Sequence, residues 1–114
     1  MQENAIAEKS LAFAIRVVKL CKLLAGKREY VLSNQLLRSG TSIGANVREA
    51  QQGQSKKDFI SKMSIALKEA AETEYWLVLL KESDCLSEKE YRSIANDCAE
   101  LNRILIAIVK NSKP

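Results

Sequence analysis

Apolar and small residues return every three or four positions along almost the whole of this 114-residue chain. That spacing gathers them on one side of an α-helix; a half-buried strand would need alternation by two. It occurs in four blocks. The first, about residues 3–25, carries the seam Ile6, Ser10, Phe13, Val17, Leu20 and Leu24. The second, about 29–52, carries Leu32, Leu36, Ser39, Ile43, Val47 and Ala50. Its spacing runs straight through Gly40, so Ser39–Gly40–Thr41–Ser42 reads as helix, with a kink as its only disturbance. The third, about 55–82, carries Phe59, Met63, Ala66, Ala70, Thr73, Leu77 and Leu80. The fourth, about 87–111, carries Tyr91, Ile94, Cys98, Leu101, Leu105 and Ile108.

The breaks carry their own signals. Gly26 and Gly53 are placed to end the first two helices, since glycine takes the left-handed conformation cheaply. Ser55 with Asp58, and Ser87 with Glu90, have capping-box spacing, with Leu86 facing Tyr91 as a staple. Asn111–Pro114 is expected to fray. Connections this short force neighbouring helices antiparallel. The expected architecture is therefore one all-α domain over residues 1–114, an antiparallel up-down-up-down four-helix bundle with helices about 35 Å long.

Two helices carry apolar residues away from their main seam: Leu11, Ile15 and Val18 on the first, and Ile65, Trp76 and Leu79 on the third. A helix apolar on two sides is normally covered on two sides. For the first helix a subunit interface and deep burial between neighbours both stand. For Trp76 the alternative is half-exposed core.

The 46% apolar and 28% charged residues suit a globular chain of a length that builds a core without disulfides or metals. No apolar run approaches the roughly 20 residues of a membrane span. Met1–Lys9 lacks a basic start followed by an apolar core, so no leader and a cytoplasmic location are expected. Three cysteines without C-x-x-C spacing point to free thiols in a reducing compartment. Histidine is absent, which removes the commonest general base and zinc ligand. No nucleophile–base pair, phosphate loop, cofactor site or metal site is expected.

The net charge of +4 is unevenly spread. Arg16, Lys19, Lys22, Lys27, Arg28 and Arg38 face one acid, Glu29, which gives +5 within 23 residues. Such a cluster permits contact with RNA or DNA backbone, where charge matters more than spacing. Lys56 and Lys57 form a smaller cluster. Tyr30 is the only aromatic residue near the larger one, so base stacking is not expected. Glu69 and Glu72 read as solvated surface charge. Glu74 falls between two apolar stripes and is expected to face the core, where Asn46, Ser39 and Arg38 of the second helix are candidate partners.

The segment LLRSGTSIGANVREA at 36–50, followed by SKKDFISKMSIALKEAAETEYWL at 55–77, resembles the four-helix bundle family of 23S ribosomal RNA intervening-sequence proteins of bacteria. The likeness covers almost the whole chain. It implies a homopentameric ring of antiparallel bundles, and kinship with the accessory protein of diversity-generating retroelements, which binds nucleic acid and a reverse transcriptase. A reverse transcriptase is thus an implied partner where one is encoded beside this chain. The motif positions are Arg38, Ser42, Asn46 and Glu49, and no catalytic residues come with them. The resulting expectation is a non-enzymatic oligomer that touches RNA or DNA backbone through a basic surface. A protein–protein adaptor with no nucleic-acid role is the alternative.

Overall fold

The computed structural model describes residues 2–112, with side chains from residue 4 onward. Four helices, α1 (Gln2–Gly26), α2 (Val31–Gln51), α3 (Lys56–Glu82) and α4 (Glu88–Ser112), are its only regular elements among the described residues. Residues 113 and 114, part of the end expected to fray, lie outside the described residues.

Packing runs in a ring, α1 against α2, α2 against α3, α3 against α4, and α4 back against α1. The α2–α3 pairing is the most extensive and the α1–α4 pairing the least. Side-chain partners fix the directions. Residue numbers fall on one helix as they rise on the other from Lys9–Glu100 to Arg16–Asp97, and from Arg38–Glu69 to Glu49–Lys62. The molecule measures 45 × 20 × 18 Å, so its long axis is about one helix length.

The seams of the sequence form the core. Phe13, Leu36, Met63, Leu77, Leu101 and Leu105 are among its largest fully buried side chains. At the end of α1 the register moves by one residue. Cys21 is buried and Leu20 only half so, and on α2 Ser33 is buried in place of Leu32. The Cys21 thiol donates to the Ser33 carbonyl at 3.3 Å, which satisfies both groups near the corner that joins α1 to α2.

The break α2 might have had at Ser39–Gly40 is absent; helix runs through it. A Cβ at Gly40 would come within 2.9 Å of both Val17 methyl carbons, and one at Gly44 would lie 3.4 Å from the Ser10 carbonyl oxygen. Gly40 thus lets α1 approach α2 closely, whereas at Gly44, one turn on, a Cβ would make only ordinary contact. On the α3 side of α2, the Ser39 and Thr73 hydroxyls are fully buried 2.9 Å apart.

The serine caps agree with the sequence, whereas neither glycine takes the left-handed conformation expected after α1 and α2. Ser55 Oγ accepts the Asp58 N–H at 3.1 Å. Ser87 and Glu90 cap each other reciprocally, at 3.1 and 2.8 Å. That contact, led by the Ser87 N–H, holds the Glu90 carboxyl below its usual range. Gly53 does follow α2, with its N–H on the Ala50 carbonyl. Gly26, however, is not the left-handed residue after α1. Arg28 is, at φ 64°. Its N–H reaches the Ala25 carbonyl and the next N–H, of Glu29, reaches that of Leu24, a Schellman closure two residues beyond the expected one. Asp84 repeats the arrangement after α3, also at φ 64°. Both corners lie at the same end of the bundle.

Candidate nucleic-acid interface

The five cations singled out on α1 and its corner do not act alike. Arg16 points at α4, where its guanidinium meets Asp97 Oδ2 at 2.6 Å, the Ser93 carbonyl at 3.2 Å and Ser93 Oγ at 2.9 Å. It is a clasp between helices, with its charge already matched. Lys19, Lys22, Lys27 and Arg28 are exposed, and none forms a salt bridge among the described residues. They occupy the last two turns of α1 and the corner after it. Lys89 of α4 joins them by lining the same groove as Lys19. Seventy positions separate those two lysines in the chain, so only the antiparallel return of α4 makes them neighbours. Lys56 and Lys57 begin α3, at the opposite end of the bundle, and add nothing to this patch.

The signature stripe lies elsewhere, on the face of α2 turned toward α3. Arg38 bonds Glu69 at 3.0 Å and also pairs with Glu72, whose carboxylate accepts the Trp76 indole N–H at 3.0 Å. Glu69 and Glu72 are therefore not merely solvated charge; they anchor α3 to α2. Ser42 Oγ donates to the Arg38 carbonyl, Asn46 Nδ2 to that of Ser42, and Glu49 pairs with Lys62 at 3.0 Å. The motif positions thus form a structural ladder. Glu74 departs from expectation. It is exposed and accepts from Asn102 of α4 at 3.2 Å, with no contact to Asn46, Ser39 or Arg38. Thr73, one residue earlier, is the group that meets Ser39. The helical wheel places Glu74 among apolar stripes, but its edge of α3 borders α4 rather than α2, and the side chain stays exposed there beside Asn102.

Leu11, Ile15 and Val18 are 51%, 47% and 36% exposed, so they are not sunk between neighbouring helices of this chain. Ile65 is also exposed, whereas Trp76 and Leu79 are half-buried and Trp76 packs on the core. Exposed apolar residues outside those two second seams are Leu23 on α1, Tyr30 and Val31 at the start of α2, Tyr75 and Val78 on α3 and Ile106 on α4.

The remaining chemistry is quiet. Burial pushes the Cys21 thiol up to about 11 and the Cys98 thiol up to about 12, away from the thiolate a nucleophile needs. All three cysteines are free. Among the described residues no group of three or more Cys, Asp or Glu is placed to hold a metal ion, and no helix is long and apolar enough to cross a membrane.

Comparison with known proteins gives the fold a context. A crystal structure of a protein of unknown function from the S23 ribosomal protein family of Bacteroides thetaiotaomicron superposes with a TM-score of 0.95 at 55% identity, covering 96% of this chain and 99% of that one. No curated protein matches the chain significantly. The model of the 23S rRNA-intervening sequence protein family matches residues 2–107. This chain belongs to the 23S rRNA-intervening sequence protein family.

Proposed function

We propose that this chain is a non-enzymatic bundle that associates with copies of itself and lays one basic bundle end against the phosphate backbone of RNA or DNA. The observation that carries the reading is the group of four exposed, unbridged cations, Lys19, Lys22, Lys27 and Arg28, at the α1–α2 corner. Lys9, Arg16, Arg38, Lys62, Lys81 and Arg92 are matched by carboxylates. Arg48, Lys56, Lys57, Lys68, Lys89, Arg103 and Lys110 are also exposed and unbridged among the described residues but lie outside that corner. Unmatched charge is what releases counterions when it meets a polyanion. Fluorescence polarisation with labelled single-stranded RNA and DNA at low salt tests it. Four backbone contacts give a log–log salt slope of about −3 on single strands. Lys19→Glu, Lys22→Glu, Lys27→Glu and Arg28→Glu together should abolish binding, and wild-type protein that binds neither probe ends the reading.

Self-association is supported by two unlike exposed apolar surfaces, one on α1 and one on α3. One is the Leu11, Ile15 and Val18 stripe, beside a cleft of about 270 Å³ lined by small residues such as Ala14, Gly44 and Ala45. The other is on α3, where Tyr75 and Val78 are exposed. Unlike patches associate head to tail, and head-to-tail contacts whose rotation closes form rings. A homopentamer of this kind would multiply a weak phosphate contact by copy number. The same exposed stripe favours the second reading, an adaptor for another protein, with a reverse transcriptase the implied partner where one is encoded alongside. Light scattering separates the two readings: Ile15→Asp lowers the mass of a homo-oligomer and leaves that of a monomeric adaptor unchanged.

A further inference from the structure

We propose that the groove between α1 and α4 is a docking site for an acidic amphipathic helix of a partner protein. α1 and α4 are the least extensively packed neighbours in the bundle, and the gap between them is a groove of about 390 Å³. Its floor is apolar, built from Leu20 and Ile94, and Leu23 stands up in it 62% exposed. Its rim is cationic on both sides, Lys19 on α1 and Lys89 on α4, and neither forms a salt bridge among the described residues. Arg16 closes one end but is committed to Asp97 and Ser93. Glu90 also lines the groove, yet its carboxylate is taken up by the Ser87 N–H in the α4 cap.

An apolar trough flanked by helices receives another helix through side chains at i, i+3 and i+4. From Arg16 to Leu23 the trough spans about 10 Å, two helical turns. Unmatched lysines on both edges select acidic residues beside those anchors and reject basic ones, since like charges brought together at an interface are costly. Phosphate backbone offers nothing for Leu20, Leu23 and Ile94 to cover. This site therefore stands apart from the nucleic-acid reading, although the two share Lys19.

The test uses the full chain and a fluorescein-labelled designed helix of about 18 residues, long enough to be partly helical alone. It carries leucines at i, i+3, i+4 and i+7 flanked by glutamates. A control replaces the glutamates with lysines. Polarisation should show saturable binding of the glutamate peptide only. Leu23→Ser, at an exposed position, should weaken it at least tenfold while leaving RNA affinity unchanged. Lys19→Glu with Lys89→Glu should reverse the preference so that the lysine peptide binds. Lys27→Glu with Arg28→Glu should weaken RNA binding and spare the peptide. The proposal is overturned by three results: no binding of the glutamate peptide, equal binding of both peptides, or a fall in oligomer mass on Leu23→Ser, which would mean that a second copy covers the groove.

Discussion

Helix α1 meets its two neighbours in opposite ways. Against α2 it comes close, with Val17 seated on Gly40 and Ser10 on Gly44, and contact is made by backbone and short side chains. Against α4 it stands off, bridged by the long side chains of Lys9 and Arg16 reaching Glu100 and Asp97. Small residues gain dispersion contact at the cost of all open space between helices. Charged bridges hold a distance and leave a trough whose walls stay wet. The same helix thus has one side packed closely and one side left open.

The largest expected effect breaks the close side. Gly40→Val should destabilise the chain by about 3 kcal/mol, because the new side chain must displace Val17 from a filled core. Adding Val17→Ala should recover part of that loss, a coupling of about 1 kcal/mol in urea melts. Gly44→Ala has the opposite sign. Its Cβ would make ordinary contact at 3.4 Å with Ser10, so the helix gain of about 1 kcal/mol should appear as a raised Tm. Equal responses at the two glycines would show that the α1–α2 contact is looser than drawn here.

On the open side the effects are smaller. Arg16→Ala should cost about 0.5–1 kcal/mol, as half-exposed ion pairs do, and the loss should shrink in high salt. A penalty as large as that of Gly40→Val would mean that α4 depends on this clasp as α2 depends on its glycines.

A further effect is set by pH, at the end of the close side. Folding holds the Cys21 thiol at about 11 against an ordinary 9.0, so the native state keeps a proton that the unfolded chain has released. Its contribution to stability is intact below about pH 9 and is lost as pH rises through about 11. Cys21→Ala should flatten the fall in Tm over that window. Identical pH slopes for the two proteins would show that the α1–α2 corner admits water to this thiol.

Much of this was legible because helices are local. Spacing by three and four gave the four helices and most of their buried residues, and the run through Gly40 read as helix because its neighbours kept the period. The Ser87–Glu90 box closes within four residues and needs no tertiary context. The misreadings share one cause. Glu74 faces the core on an isolated wheel, but which helix borders that edge, and how far it covers it, is decided by the packing of α4, whose Asn102 meets the carboxylate. Arg16 looked like one more free cation until Asp97, far along the chain, took its charge. Lys89 gave no signal because nothing near it in sequence is part of the patch.

The sequence by itself determined four amphipathic helices, their short connections and a basic stretch ending α1, since each is encoded within a few turns of chain. Only the tertiary structure decided which cations stay unmatched, that Arg28 rather than Gly26 turns the first corner, and that Leu11, Ile15, Val18 and Leu23 remain uncovered. Those outcomes depend on how closely two helices distant in sequence approach. That distance is set by the pair of surfaces that meet, and neither surface alone contains it.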